Sequence, residues 1–167
     1  GFDEKNNLSN LKCHKVELKI NHDDNGNTPR SIGTNYAITR EFDYIMYLDA
    51  DNWFQNNHVN SLLNLIKNET SIACSYRSFY TMDEKKMSYL EDDDCLSKKF
   101  VDTSCYLIPK DFFQLINIWH LIPKETSQWC DRIFFFNILK NKCPIKFSEM
   151  HTVAFRTLYD VHYLHSK

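Results

Sequence analysis

Two carboxylates two residues apart, Asp49 and Asp51, follow directly on the apolar run Tyr44-Ile45-Met46-Tyr47-Leu48. In an extended segment such residues point to the same side, so both acids can address one site at the end of a strand. Carboxylate oxygens suit a hard cation, Mg²⁺ or Mn²⁺, which would bridge diphosphate oxygens and offset charge on a leaving group. Composition alone also produces Asp-x-Asp pairs, and Asp92-Asp93-Asp94 supplies another. Placement separates the two. The second lies in a polar stretch and is expected in a solvated loop. Two acids at the end of a buried strand repel each other and lose hydration unless a cation joins them. The metal reading requires that no Arg or Lys tie the two groups off and exclude the ion.

The elements that must hold this pair follow from periodicity. Residues 16–20 alternate as a half-buried strand does, and the polar residues 21–27 turn the chain. A helix is expected next, capped by Thr28, with Pro29 in its first position and Ile32, Tyr36 and Ile38 facing inward. Residues 42–48 read as a central strand covered on both faces. Val59, Leu62, Leu63, Leu65 and Ile66 repeat at helical spacing, and 72–76 reads as the next strand, completing a βαβ unit. The acidic, Lys-rich stretch 82–99 reads as an exposed excursion. Beyond it come a strand near 104–108, a helix over 110–118, a helix over 127–139, and strands near 145–147 and 152–155. Alternating strands and helices imply an α/β fold with a mainly parallel sheet.

At 167 residues and 43% hydrophobic the chain suits one domain, 1–167, with a single buried core. A formal net charge of −2 with scattered Lys and Arg offers nucleic acid no basic stripe, so none is expected as a partner. The six cysteines, Cys13, Cys74, Cys95, Cys105, Cys130 and Cys143, form no CxxC pair, which argues against structural zinc and for free thiols in a reducing compartment. Sequons at Asn7-Leu8-Ser9 and Asn68-Glu69-Thr70 would matter only in a secretory lumen. No signal-peptide pattern is visible, and no apolar run approaches the roughly 18 residues of a membrane span. The location expected is cytoplasmic, with room for peripheral attachment to a membrane. Trp53, Trp119 and Trp129 could stack on sugars or pack in the core.

The string Asp43-Tyr44-Ile45-Met46-Tyr47-Leu48-Asp49-Ala50-Asp51-Asn52-Trp53 resembles the DxD signature of GT-A glycosyltransferases of the large family-two type. The resemblance implies a Rossmann-like GT-A domain that moves a sugar from a nucleoside-diphosphate sugar to a carbohydrate or other hydroxyl acceptor, with inversion, in glycan or polysaccharide biosynthesis. In that scheme Asp49 and Asp51 bind Mn²⁺ or Mg²⁺. The preceding segment, Asn25 to Ile38, is similar to one that carries an Arg-Asn pair on the nucleotide-sugar. Here Asn35 stands at the Asn of the pair, Thr34 at the Arg, and Arg30 one turn earlier. Gly1-Phe2-Asp3 is similar to the end of the family's nucleotide loop, which implies about 35 residues of a typical domain upstream, including a strand, a helix and a second strand.

Further roles come with the resemblance. Asp131, in Ser127-Gln128-Trp129-Cys130-Asp131-Arg132, stands where inverting members place the base that deprotonates the acceptor, with Cys130 at the position of a usual first acid. The helix N-terminus would keep it ionised, as a base requires; the alternative is a helix cap paired with Arg132. Phe100-Val101-Asp102-Thr103-Ser104-Cys105 is similar to the acceptor-side floor, where Asp102 could bind a sugar hydroxyl or fix a turn, and Trp129 would line the acceptor. A late histidine as third metal ligand is expected at His162, with His151 second, and Arg156 would reach the diphosphate or stand solvated at a strand end. Two rival functions remain, a nucleotidyltransferase and a sugar-nucleotide-binding or assembly module without turnover.

Overall fold

The protein is described from a computed structural model over residues 13–164. Gly1-Phe2-Asp3 and the Asn7 sequon lie outside the described residues. Residues 16–20 form no strand; Val16 and Ile20 are exposed and no neighbouring strand takes up their alternation.

Helix α1 spans Asn27–Thr39. Its start is built from further upstream than Thr28. Asn25 and Gly26 take positive φ, and the turn they make lets the Asp24 carboxylate accept from both the Thr28 N–H, at 2.8 Å, and the Thr28 hydroxyl, at 2.6 Å. Asp24 is therefore the cap, and Pro29 falls third in the helix, still within the first turn where its missing N–H is harmless. The inward face is polar: Asn27, Ser31 and Thr34 are buried, while Ile32, Tyr36 and Ile38 are only half-buried. Thr34 meets the Tyr47 hydroxyl at 2.7 Å, and the Trp119 indole N–H donates to that same hydroxyl at 3.0 Å.

The apolar run after α1 pairs over only Tyr44–Ile45 (β1), and the expectation of a central strand over 42–48 covered on both faces is corrected: β1 lies at the edge of the sheet, and Phe42, Tyr44 and Leu48 are exposed because only β4 pairs with it. A short strand β2, Trp53–Phe54, leads into helix α2, His58–Leu65, and strand β3, Ile72–Tyr80. A four-residue helix, α3 (Asp93–Leu96), interrupts the excursion 82–99; strand β4 is Tyr106–Pro109, helix α4 Phe113–Ile116 and helix α5 Cys130–Lys140. The two C-terminal strands expected at 145–147 and 152–155 are one strand, β5, Ile145–Arg156. From Cys74 to Arg77 the pairing advances six residues along β5 against three along β3, and Glu149, at φ 55, sits in the resulting bulge. That bulge is the break the sequence pattern shows.

The class is α/β, but the expectation of a mainly parallel sheet is corrected: the five strands run in the order β1-β4-β3-β5-β2, only β3 and β5 are parallel, and the other three pairs are antiparallel. The connections explain this. A parallel neighbour needs a covering crossover, which α4 and α5 provide between β3 and β5. The link from β3 to β4 contains only α3, so β4 returns antiparallel. Alternation along the central strands feeds two layers. Ala73 and Leu107 pack under Leu62 of α2 and Ile66 just beyond it, whereas Cys74, Tyr106 and Ile108 face Phe134 and Ile138 of α5 together with Trp119. All six cysteines are free thiols, four of them buried. No helix among the described residues is long and apolar enough to cross a membrane.

Candidate functional site at the end of strand β1

Beyond β1 the chain runs through Met46, Tyr47 and Leu48 and then turns: the Asn52 N–H donates to the Asp49 carbonyl at 3.0 Å, which places Ala50 and Asp51 at an exposed tip. Asn52 anchors the turn from below. Its side-chain oxygen accepts from the Arg156 backbone N–H at 3.1 Å, and its amide approaches the Ser104 hydroxyl at 3.4 Å, as does the Asp49 N–H. The Asp49 carboxylate is half-buried and one of its oxygens is held by Arg30 at 2.6 Å. Arg30 reaches it from the first turn of α1, with its other nitrogen donating to the Asn25 carbonyl at 2.7 Å and its guanidinium 5.3 Å from the Trp119 ring centre. Asp51 is exposed and makes no side-chain hydrogen bond among the described residues. The requirement of an untied pair is thus met by Asp51 and by the second oxygen of Asp49 only.

The head of α5 closes the other side. Cys130 lies 3.8 Å from Arg30 through its sulfur, and Asp131 accepts a short hydrogen bond from the Thr103 hydroxyl. Burial pushes the Asp131 carboxyl above its ordinary value, while Thr103 and Arg30 pull against it and Asp49 adds to the rise. Loss of hydration is thus the largest influence on this acid. Its partner is Thr103 rather than Arg132, whose guanidinium lies over the rings of Phe100, at 4.2 Å, and Trp129, at 5.1 Å.

Below lies a sealed ionic cluster. Arg77, a lone cation in buried β3, donates through Nη2 at 2.5 Å and Nε at 3.1 Å to the two oxygens of Asp92, and its backbone N–H adds a bond at 2.9 Å. Nη1 reaches Asp102 at 3.4 Å. Asp92 is 0% exposed, so its assignment to a solvated loop is corrected: the excursion 82–99 folds back and buries this residue, because the strand's Arg needs a carboxylate partner. Asp102 is 4% exposed, and its other oxygen caps the Thr103–Cys105 turn through the Ser104 N–H at 2.9 Å. Of its two possible roles, the structure shows the turn. Burial raises Asp102 to about 7, against the pull of Arg77, with Asp131 and Asp49 adding to the rise.

The remaining candidates are spread out. Asn35 is exposed on α1, roughly 140° around the helix from Arg30 at 100° per residue. Arg156 pairs with Glu84 at 2.5 Å and lies 5.5 Å from the Trp53 ring centre, beside the Asp49–Asn52 turn. Trp129 is exposed next to Asp131. His162 engages the Thr157 hydroxyl at 2.7 Å and packs against Phe79, and His151 engages the Arg77 carbonyl at 2.6 Å. No group of three or more His, Cys, Asp or Glu able to hold a metal exists among the described residues. A cation here would take Asp51 and the second oxygen of Asp49, with the rest of its shell from water and a diphosphate. Such sparse protein ligation suits Mg²⁺ at phosphate sites.

Sequence reasoning passed over Asn52, Arg77, Asp92, Thr103 and Ser104. A signal existed for Arg77, since an Arg inside an apolar strand demands a buried acid. None marked Asp92 as that acid. A trough of about 670 Å³ between α1 and β1 opens onto Arg30 and Asp49, lined also by Gly33, Tyr44, Met46 and Leu48. The chain matches no family model, no curated protein and no solved structure.

Proposed function

We propose that this chain is a metal-dependent glycosyltransferase domain of the GT-A, family-two-like kind, transferring a sugar with inversion from a nucleoside-diphosphate sugar to a hydroxyl acceptor. One observation carries the reading: Arg30 holds the Asp49 carboxylate at 2.6 Å, and its other nitrogen lies 3.8 Å from the sulfur of Cys130, the residue before Asp131. The order strand, acidic turn, helix and strand from Tyr44 to Tyr80 supports it as well. So does the local charge. Two guanidiniums, Arg30 and Arg77, face four carboxylates, Asp49, Asp92, Asp102 and Asp131, so with every group ionised the cluster is anionic before Asp51 is counted.

Asp131 would take the acceptor hydroxyl proton as the acceptor oxygen bonds to the anomeric carbon. The bond from that carbon to the diphosphate breaks with its electron pair on the leaving oxygen. A carboxyl raised by burial is a stronger base than an ordinary one, provided it stays ionised, and Arg30 and Thr103 favour the anion. Mn²⁺ or Mg²⁺ bound by Asp49 and Asp51 would stabilise the departing diphosphate. Arg30, which holds Asp49, would also meet a phosphate oxygen at the mouth of the trough. Trp129 offers an exposed face for the acceptor beside the base.

The Arg30–Asp49 pair favours a second reading, a sugar-nucleotide-binding module in which Arg30 rather than a cation supplies positive charge. Calorimetric titration of Mn²⁺ with UDP-, GDP- and TDP-sugars, with turnover assayed in parallel, separates the two. On the first reading Asp51→Ala abolishes Mn²⁺-dependent donor binding and lowers turnover by about 100-fold or more, the scale of lost electrostatic stabilisation at one group. Donor binding that is indifferent to Mn²⁺ and to Asp51 selects the module, and pyrophosphate release from a nucleoside triphosphate selects nucleotidyl transfer.

A further inference from the structure

A continuous chain of buried polar contacts runs from the excursion 82–99 to the candidate base. It begins at Asp92, grips Arg77 through both carboxylate oxygens, and passes through Nη1 to Asp102. Asp102 caps the Thr103–Cys105 turn, and Thr103 donates its hydroxyl to Asp131. Asp92, Arg77, Asp102 and Thr103 are all buried, and the Arg77 guanidinium is wrapped by the rings of Phe79, Phe100 and Phe155 at 5.0 to 5.4 Å. A buried ion pair contributes little net stability compared with apolar residues of the same volume, so its presence under this turn calls for a role beyond holding the fold together. The turn it supports bears the only side-chain oxygen donor that meets Asp131 among the described residues.

We propose that Thr103 is the positioning residue for Asp131, and that the Asp92–Arg77–Asp102 chain holds the turn that aims it, making the excursion 82–99 part of the site's scaffold. The inference rests on Asp131 being the base. Thr103 does two things there. Its hydroxyl selects one orientation for a carboxylate that otherwise rotates on the first turn of α5, and it donates to the ionised form, which is the form that accepts a proton. The other groups facing Asp131 are Cys130 on α5, Arg30 on α1, Asp49 after β1, Arg77 on β3 and Asp102 in the same turn as Thr103.

The test compares the unmodified protein with Thr103→Ser, Thr103→Val and Asp92→Asn. Steady-state kinetics with the active donor are paired with ¹³C NMR titration of the Asp131 carboxyl, which needs no turnover. Thr103→Val, nearly isosteric, should lower kcat by about 10- to 100-fold with KM nearly unchanged, and raise the pH midpoint of Asp131. Thr103→Ser should restore both, and Asp92→Asn should shift both in the direction of Val, less far. An Asp131 midpoint that is the same in Thr103→Val as in the unmodified protein overturns the positioning role, whatever the kinetics. A shifted midpoint in a protein that turns over no nucleotide-sugar sustains the positioning and overturns the glycosyltransferase reading instead.

Discussion

Of the three Arg–Asp pairs in this site, Arg77–Asp92 and Arg30–Asp49 are the closest, and the difference between these two is a difference in exposure. Arg77 and Asp92 meet through two nitrogen–oxygen contacts in the interior, with side chains 8% and 0% exposed. Arg30 and Asp49 meet through one contact at the mouth, with side chains 12% and 35% exposed. A sealed two-point pair cannot exchange its partner without stranding a charge in a dry interior. A single contact beside solvent can exchange, and here one oxygen of Asp49 and the exposed Asp51 carboxylate have no side-chain partner among the described residues. The same chemistry thus serves as a scaffold in one place and as an adjustable contact in the other.

Breaking the sealed pair should have the largest effect. Arg77→Ala leaves Asp92 and Asp102 buried without their cation and should cost about 3 to 5 kcal/mol in urea denaturation. Replacing both members, as Arg77→Met with Asp92→Leu, should recover most of that stability. A double replacement no more stable than Arg77→Ala would mean that the loss comes from packing against the rings rather than from the stranded charges.

The next effect is on the pH dependence of stability, where two buried groups act in opposite directions. Burial lowers His58 from 6.5 to about 4, so its share of stability is complete above pH 6.5 and is lost as the pH falls toward 4. Asp102 is raised from 3.8 to about 7, so protonation favours the folded state; its share is complete below pH 3.8 and is lost as the pH rises through 7. From pH 4 to 6.5 the two oppose each other, and only the falling arm continues above. With the raised Asp131 carboxyl adding to the falling arm, urea midpoints of the unmodified protein should not rise across that range and should decline toward pH 7.5. Asp102→Asn should turn this range toward a rise and lessen the decline beyond. A decline undiminished by the substitution assigns the falling arm to another group, such as the raised Asp131 carboxyl.

The smallest effect on stability belongs to the open pair. Arg30→Met should change stability by about 1 kcal/mol or less, as expected for a partly exposed single contact. It should nevertheless tighten Mn²⁺ binding in the absence of nucleotide, measured by calorimetry, because both oxygens of Asp49 become free. Unchanged or weaker Mn²⁺ binding would show that Asp49 is not a cation ligand and would sharpen the case for the metal-independent module.

Several elements were legible along the chain for local reasons, whereas the strand expected at 16–20 is absent and β2 was not anticipated. The repeat of Leu62, Leu63 and Ile66 marks α2, the continuous apolar run from Ile72 marks β3, and the break between Phe147 and Thr152 marks the bulge in β5. The placement of Asp49 and Asp51 was only partly readable: the acids follow the apolar run as expected, but they lie in a turn beyond β1, where strand alternation does not set their directions. Strand direction was not readable, because an apolar run packs equally well in either sense, and the helix-poor link across 82–99 turned β4 antiparallel. Nor could sequence pair Arg77 with Asp92 rather than with any other acid, or bring Thr103 to Asp131 and Arg30 to Asp49. Charged side chains of one type are interchangeable in a pattern, and only the folded chain decides which of them lose water together.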